Sequence, residues 1–143
     1  MSSASFGRQA ADGEGARMGR KHVFAVAVSP DFLDVLRDLL QEERYNVTTA
    51  NFVPRTFDQV AALQPDLLIV DLVVGQRAGW DLLERLHAEA ATRGLPVLLV
   101  STDDRFLERA AAEGARYGAH AALAKPFDLQ VLLDSIDALI GPT

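Results

Sequence analysis

Short runs in which every residue is apolar constrain this chain more than any other feature. Leu67-Leu68-Ile69-Val70 and Pro96-Val97-Leu98-Leu99-Val100 offer no polar position on either side. A half-exposed strand would alternate, and an amphipathic helix would show polar residues at its own period. Runs this short read as strands covered on both faces. Parallel sheets meet that condition, because crossover helices lie on each side of them.

The rest of the chain keeps the alternation. A first strand runs from His22 to Val28. Ser29-Pro30-Asp31 supplies an N-cap, a proline at the first helical position and an early acid, so a helix starts there. It extends to about Arg44, with Phe32, Leu33, Leu36, Leu39 and Leu40 on one face. Tyr45 to Ala50 reads as the second strand, and a helix follows from about Pro54 to Leu63. Gln64-Pro65-Asp66 is a turn before the third strand, Leu67 to Val70. After the loop Val73 to Gly79, a helix spans about Trp80 to Thr92 with Leu82, Leu83, Leu86 and Ala90 inward. The fourth strand is Pro96 to Val100. An alanine-rich helix covers Asp104 to Tyr117, the fifth strand Ala119 to Ala124, and the last helix Asp128 to Ile140, stopped by Gly141-Pro142. Five strands alternating with five helices make a doubly wound α/β sandwich.

Residues 1–20 stand apart: Ser, Gly and Ala dominate, without apolar periodicity, and they read as a disordered tail before one domain over 21–143. The composition of that domain excludes several functions. With no cysteine, disulfides, thiolate metal sites and cysteine nucleophiles are ruled out. His22, His87 and His120 lack metal-ligand spacing, and His87 and His120 read as ordinary exposed histidines. A net charge of −6 without a basic stripe argues against nucleic acid as a partner. No apolar stretch is long enough to span a bilayer and no signal-peptide core is present, so the expectation is a cytoplasmic protein without a membrane partner.

Three strand ends carry chemistry. Asp71 follows Val70, Ser101 follows Val100, and Lys125 follows Ala124. The carboxyl ends of parallel strands form one rim, where ligands bind. A carboxylate, a hydroxyl and an ammonium gathered there can hold a phosphoryl group. Plainer readings exist for each. Asp71 can be a turn residue, and Lys125 a surface lysine. Ser101 and Thr102 can cap the helix whose start Asp103 and Asp104 favour. The first strand ends differently, in Ala27 and Val28, with no acid.

Pro65-Asp66-Leu67-Leu68-Ile69-Val70-Asp71-Leu72 followed by Gly79-Trp80-Asp81-Leu82-Leu83 resembles the phosphoacceptor segment of response-regulator receiver domains. Leu99-Val100-Ser101-Thr102 resembles the family's hydroxyl-bearing fourth strand end, and Gly118 to Phe127 its lysine-proline fifth strand end. The likeness covers nearly all of Lys21 to Ile140. It implies a flavodoxin-like, CheY-like sandwich with strand order 2-1-3-4-5. It makes Asp71 equivalent to the phosphoacceptor, Ser101 the switch hydroxyl and Lys125 the lysine that pairs with aspartate or phosphate. Backbone contacts fall to Val73 and Thr102. A histidine kinase, a phosphotransfer protein or another signalling protein would be the partner.

Departures from that pattern shape the functional expectation. Ala27 and Val28 stand where the family carries the two acids that hold Mg²⁺ with the phosphoacceptor. Asp31 follows the helix-starting proline and points away. One carboxylate and one lysine sum to a formal zero, whereas the family's three carboxylates and lysine sum to −2 and invite a dication. A direct Asp71–Lys125 pair would satisfy both groups. Ala122 replaces the aromatic that swings with the hydroxyl, Gly75 stands where many members have proline, and Thr102 to Gly118 runs about two residues long for the family.

The expectation is therefore a stand-alone atypical receiver with an impaired metal and phosphoacceptor site. It would need no cofactor, with Mg²⁺ bound only if the residual site is competent. Its output would pass through protein contacts, including a homodimer through the last two helices. The alternative is a conventional receiver accepting phosphate at Asp71. An enzyme or cofactor binder on the same frame ranks third, since Val28-Ser29-Pro30-Asp31 replaces any glycine-rich phosphate loop.

Overall fold

The computed structural model describes residues 20–51, 55–72, 77–112 and 121–141. Its strands are β1 (His22–Val26), β2 (Asn46–Ala50), β3 (Leu67–Asp71), β4 (Val97–Ser101) and β5 (Ala121–Ala124). They form a single parallel sheet in the order β2-β1-β3-β4-β5. In register, Val26 lies beside Val70 and Ala50, and Asp71 beside Val100. The central strands β3 and β4 are buried at every position, which is why their sequence is uninterruptedly apolar. The edge strands differ. All five β2 residues are half-buried, and Ala122 and Ala124 of β5 are exposed.

Helices α1 (Pro30–Glu42), α2 (Thr56–Leu63), α3 (Ala78–Ala88), α4 (Asp104–Ala112) and α5 (Leu129–Ile140) complete the sandwich. One layer seats Leu33, Leu36 and Leu40 of α1 and Leu132 and Ile136 of α5 against Ala25, Ile69 and Leu98. The other seats Val60 of α2 and Trp80, Leu83 and Leu86 of α3 against Phe24, Leu68 and Leu99. The α4 helix lies along β4 and β5. Ser29 caps α1 by accepting a hydrogen bond from Phe32 N at 3.2 Å, and Asp128 caps α5 by accepting from Val131 N at 2.9 Å. A buried apolar face repeated on each helix is what holds the layers to the sheet.

Several element ends differ from the sequence expectation. β1 stops at Val26, so Ala27 and Val28 lie beyond it, although Ala27 N still donates to Ala50 O at 3.2 Å. α1 ends at Glu42 because Arg44 takes φ 71°, which no right-handed helix admits. α3 begins at Ala78 and ends at Ala88, short of Thr92. The Thr92 hydroxyl turns back to donate to Leu86 O at 2.6 Å, and Ala90 is exposed rather than inward. His87 is half-buried, with no hydrogen bond to Nδ1, rather than exposed. The expected tail before Arg20, together with Pro54, Gly75, His120 and the stretch from Glu113 through Tyr117, lies outside the described residues.

Candidate functional site

Asp71, Ser101 and Lys125 meet at the carboxyl rim of β3, β4 and β5. Lys125 Nζ donates to Asp71 Oδ2 at 2.8 Å. The Asp71 carboxylate is almost wholly buried, at 5% side-chain exposure against 20% for the lysine. A buried carboxylate without a partner is costly, so the ammonium is what makes the charge tolerable there. The lysine stem also sets Nζ 4.2 Å from the centroid of the Phe32 ring, a cation over an aromatic face. Phe32 in turn meets the edge of Phe127, their centroids 6.5 Å apart.

Ser101 is fully buried and its hydroxyl is used twice. It donates to Leu72 O at 3.0 Å and accepts from Asp103 N at 3.0 Å. The first bond ties the end of β4 to the chain leaving β3, and the second shapes the approach to α4. Asp103 continues the capping by accepting from Arg105 N at 2.8 Å. Lys125 N donates to Ser101 O at 2.8 Å, so backbone bonds join all three strand ends. Thr102 is exposed beside them, and Lys125-Pro126 is a cis peptide. Val73 lies outside the described residues.

Across the same rim, Ala27 is fully buried among the leucines of α1, and Val28 is 44% exposed. Asp31 is exposed on the first turn of α1. Asp71 is thus the only acid that β1 and β3 bring to the rim among the described residues, which hold no cluster of three or more His, Cys, Asp or Glu suited to a metal ion. Trp80 sits 4% exposed at the start of α3, with the Arg109 guanidinium of α4 5.0 Å above its ring. Phe32, the shelf beneath Lys125, escaped the sequence reading as a site residue. Its only signal was an aromatic in the first turn of a helix that starts at the rim.

The opposite end of the sheet carries a different polar group. His22 N donates to Asp66 Oδ2 at 2.7 Å, and His22 Nε2 lies 2.8 Å from Thr48 Oγ1. Burial pushes the imidazole pKa down, and the Asp66 carboxylate offsets part of this. Burial and the Asp137 carboxylate raise the Tyr45 phenol to about 12.

Residues 23–137 match the family described as the response regulator receiver domain. Over 121 residues the chain is 28% identical to the probable transcriptional regulatory protein TcrX of Mycobacterium tuberculosis, covering 85% of this chain and 50% of that protein. Over 78 residues it is 34% identical to protein PilH of Pseudomonas aeruginosa, covering 54% of this chain and 63% of that protein. The chain therefore spans about half to two thirds of the length of these relatives. Chemotaxis protein CheY4 of Vibrio cholerae superposes with a TM-score of 0.74 at 22% identity, over 84% of this chain and 98% of that one, and shares the fold. A family match that runs from the first strand into the last helix settles the descent: the chain belongs to the response regulator receiver domains, signalling modules of two-component systems.

Proposed function

We propose that this receiver works chiefly as a protein-binding module, with its metal and phosphoacceptor site impaired. The observation that carries the reading is the Lys125–Asp71 pair at 2.8 Å beside a β1 end made of Ala27 and Val28. Asp71 holds the phosphoacceptor-equivalent position, Ser101 that of the switch hydroxyl, and Lys125 that of the pairing lysine. Receiver domains bind Mg²⁺ at this place. Magnesium takes near-octahedral oxygen ligands and is drawn by carboxylate charge. The donors here are one carboxylate already neutralised by an ammonium, with apolar side chains where further carboxylates would be needed. This set does not fit a resident Mg²⁺.

The Ser101 hydroxyl has local work between Leu72 O and Asp103 N, which supports a structural role in the resting domain. A histidine kinase, a phosphotransfer protein or another signalling protein remains the partner class, met through surface rather than through phosphoryl transfer.

A Mg²⁺ titration with and without beryllofluoride, followed by Trp80 fluorescence and amide shifts, tests this. The expected result is no saturable response up to metal concentrations of about 10 mM. Saturable shifts around Asp71, Ser101 and Lys125, abolished in Asp71→Asn, would instead establish the conventional phosphoacceptor reading.

A further inference from the structure

Part of the β2 backbone points away from the sheet. Asn46 N donates to Lys21 O, and Ala50 O accepts from Ala27 N, both toward the β1 side. Backbone groups of a parallel strand alternate between its two sides. Asn46, Thr48 and Ala50 therefore face β1, while Val47 and Thr49 turn their N–H and C=O groups outward. Among the described residues no strand pairs with that side. Such an edge is commonly closed by a charge or a proline, and β2 has neither. An open groove of about 590 Å³ lies along Asn46, Val47 and Thr48, walled by Gln41 and Tyr45 on one side and by Leu63 of α2 on the other. We infer that β2 pairs with an extended, β-branched segment of a partner protein that carries a carboxylate at the Arg20 end.

The backbone dictates the form of the occupant. Outward N–H and C=O groups are met by an extended chain and not by a helix, whose own groups are already paired. Its side chains follow from the two faces of the edge. Val47 packs on the α1 layer and Ala50 on the α2 layer, so successive residues of an added strand alternate between the two. On the α2 side they meet Leu63, 48% exposed, and Thr48, a surface that β-branched side chains cover well. Charge selects the source. Arg20 carries the only permanent charge in the groove lining, and Glu42 and Glu43 lie outside it. A carboxylate beside Arg20 gains a partner there, whereas a lysine meets a like charge. A second copy fits less well: it brings a net charge of −6, and its own β2 holds no acid for Arg20. The inference names a partner for the protein-binding module proposed above and rests on that reading.

The test uses the full chain and labelled peptides of alternating valine and threonine. One peptide ends in aspartates and one in lysines. Two more keep the aspartates and carry N-methyl groups on alternate amides, one set in each. Fluorescence anisotropy and amide hydrogen exchange are read without Mg²⁺ or phosphodonor, so failure here is distinct from failure of the metal-site reading. The aspartate peptide is expected to bind and to slow exchange at Val47 and Thr49. Only one of the two methylated peptides should lose affinity, about tenfold, because pairing uses the donors on one side alone. Arg20→Glu should reverse the preference between aspartate and lysine. Thr49→Pro should abolish binding and keep the circular dichroism, since the Thr49 N–H has no place in the β1 ladder. The methylated peptides make the same cut without touching the protein. Equal binding of the lysine peptide, affinity indifferent to both methylated sets, or unchanged exchange at Val47 and Thr49 would each overturn the inference. So would slow exchange at those two amides in the peptide-free chain. Slow exchange lost on removal of residues 1–19 would make the occupant this chain's own segment, and slow exchange lost on dilution would make it a second copy.

Discussion

Two neighbouring strands end at one rim with opposite chemistry. β1 runs out into Ala27, fully buried among leucines, and Val28, half-exposed. β3 ends in Asp71, just as buried but charged, and held by Lys125 at 2.8 Å. Burial alone therefore does not decide what a strand end can carry; the partner across the rim does. On the β1 side the rim carries apolar side chains, which need no such partner. On the β3 side the lysine of β5 makes a carboxylate affordable.

The sharpest way to break this contrast is to take the partner away. Lys125→Ala leaves the Asp71 carboxylate buried and unpaired, with an expected loss of about 3 kcal/mol in urea unfolding. Adding Asp71→Asn to it should recover most of that loss, and a Lys125→Ala protein as stable as the parent would remove the pair from any structural role. Next comes an attempt to make the two ends alike. Ala27→Asp with Val28→Asp should cost about 2 kcal/mol in metal-free buffer, and Mg²⁺ should then raise the melting temperature of the variant but not of the parent. No metal effect on the variant would mean that more than the missing acids disables the site.

A smaller effect is expected at β4, the strand between β3 and β5. Ser101→Ala deprives Leu72 O and Asp103 N of a partner and should cost about 1–2 kcal/mol, with amide exchange quickening at the start of α4. Smallest is the pH dependence from the far end of the sheet. The folded His22 holds its proton less tightly than the ordinary value of 6.5. The unfolded chain then binds protons first, so stability is full above pH 6.5 and declines as the pH falls below it. His22→Gln should flatten that decline in thermal melts at pH 7.5 and 5.5; an unchanged slope would assign it to other groups.

Much of this architecture could be read before any coordinates. Leu67 to Val70 and Val97 to Val100 announce a buried parallel sheet, and Ser29-Pro30 marks the start of α1 to the residue. The meeting of Asp71 with Lys125 was legible because strand ends share a rim whatever lies between them. What escaped was set by side-chain conformation and chain reversal. Nothing local marks the turn at Arg44 or the Thr92 hydroxyl reaching back to Leu86. Leu39 read as a core residue because an apolar pattern cannot separate a side chain that packs on the sheet from one that lines a groove. Nothing in the apolar run of β5 marks it as an edge strand, yet Ala122 is exposed and no strand pairs beyond β5 among the described residues.

The other edge has a colloidal consequence. β2 reads Asn46-Val47-Thr48-Thr49-Ala50, half-buried throughout, without a charge, a proline or a glycine to discourage another strand. At neutral pH the net charge of −6 keeps copies apart. Near the isoelectric point of 4.9 that repulsion vanishes, and the shelf life of concentrated solutions there will be set by β2 rather than by the stability of the fold.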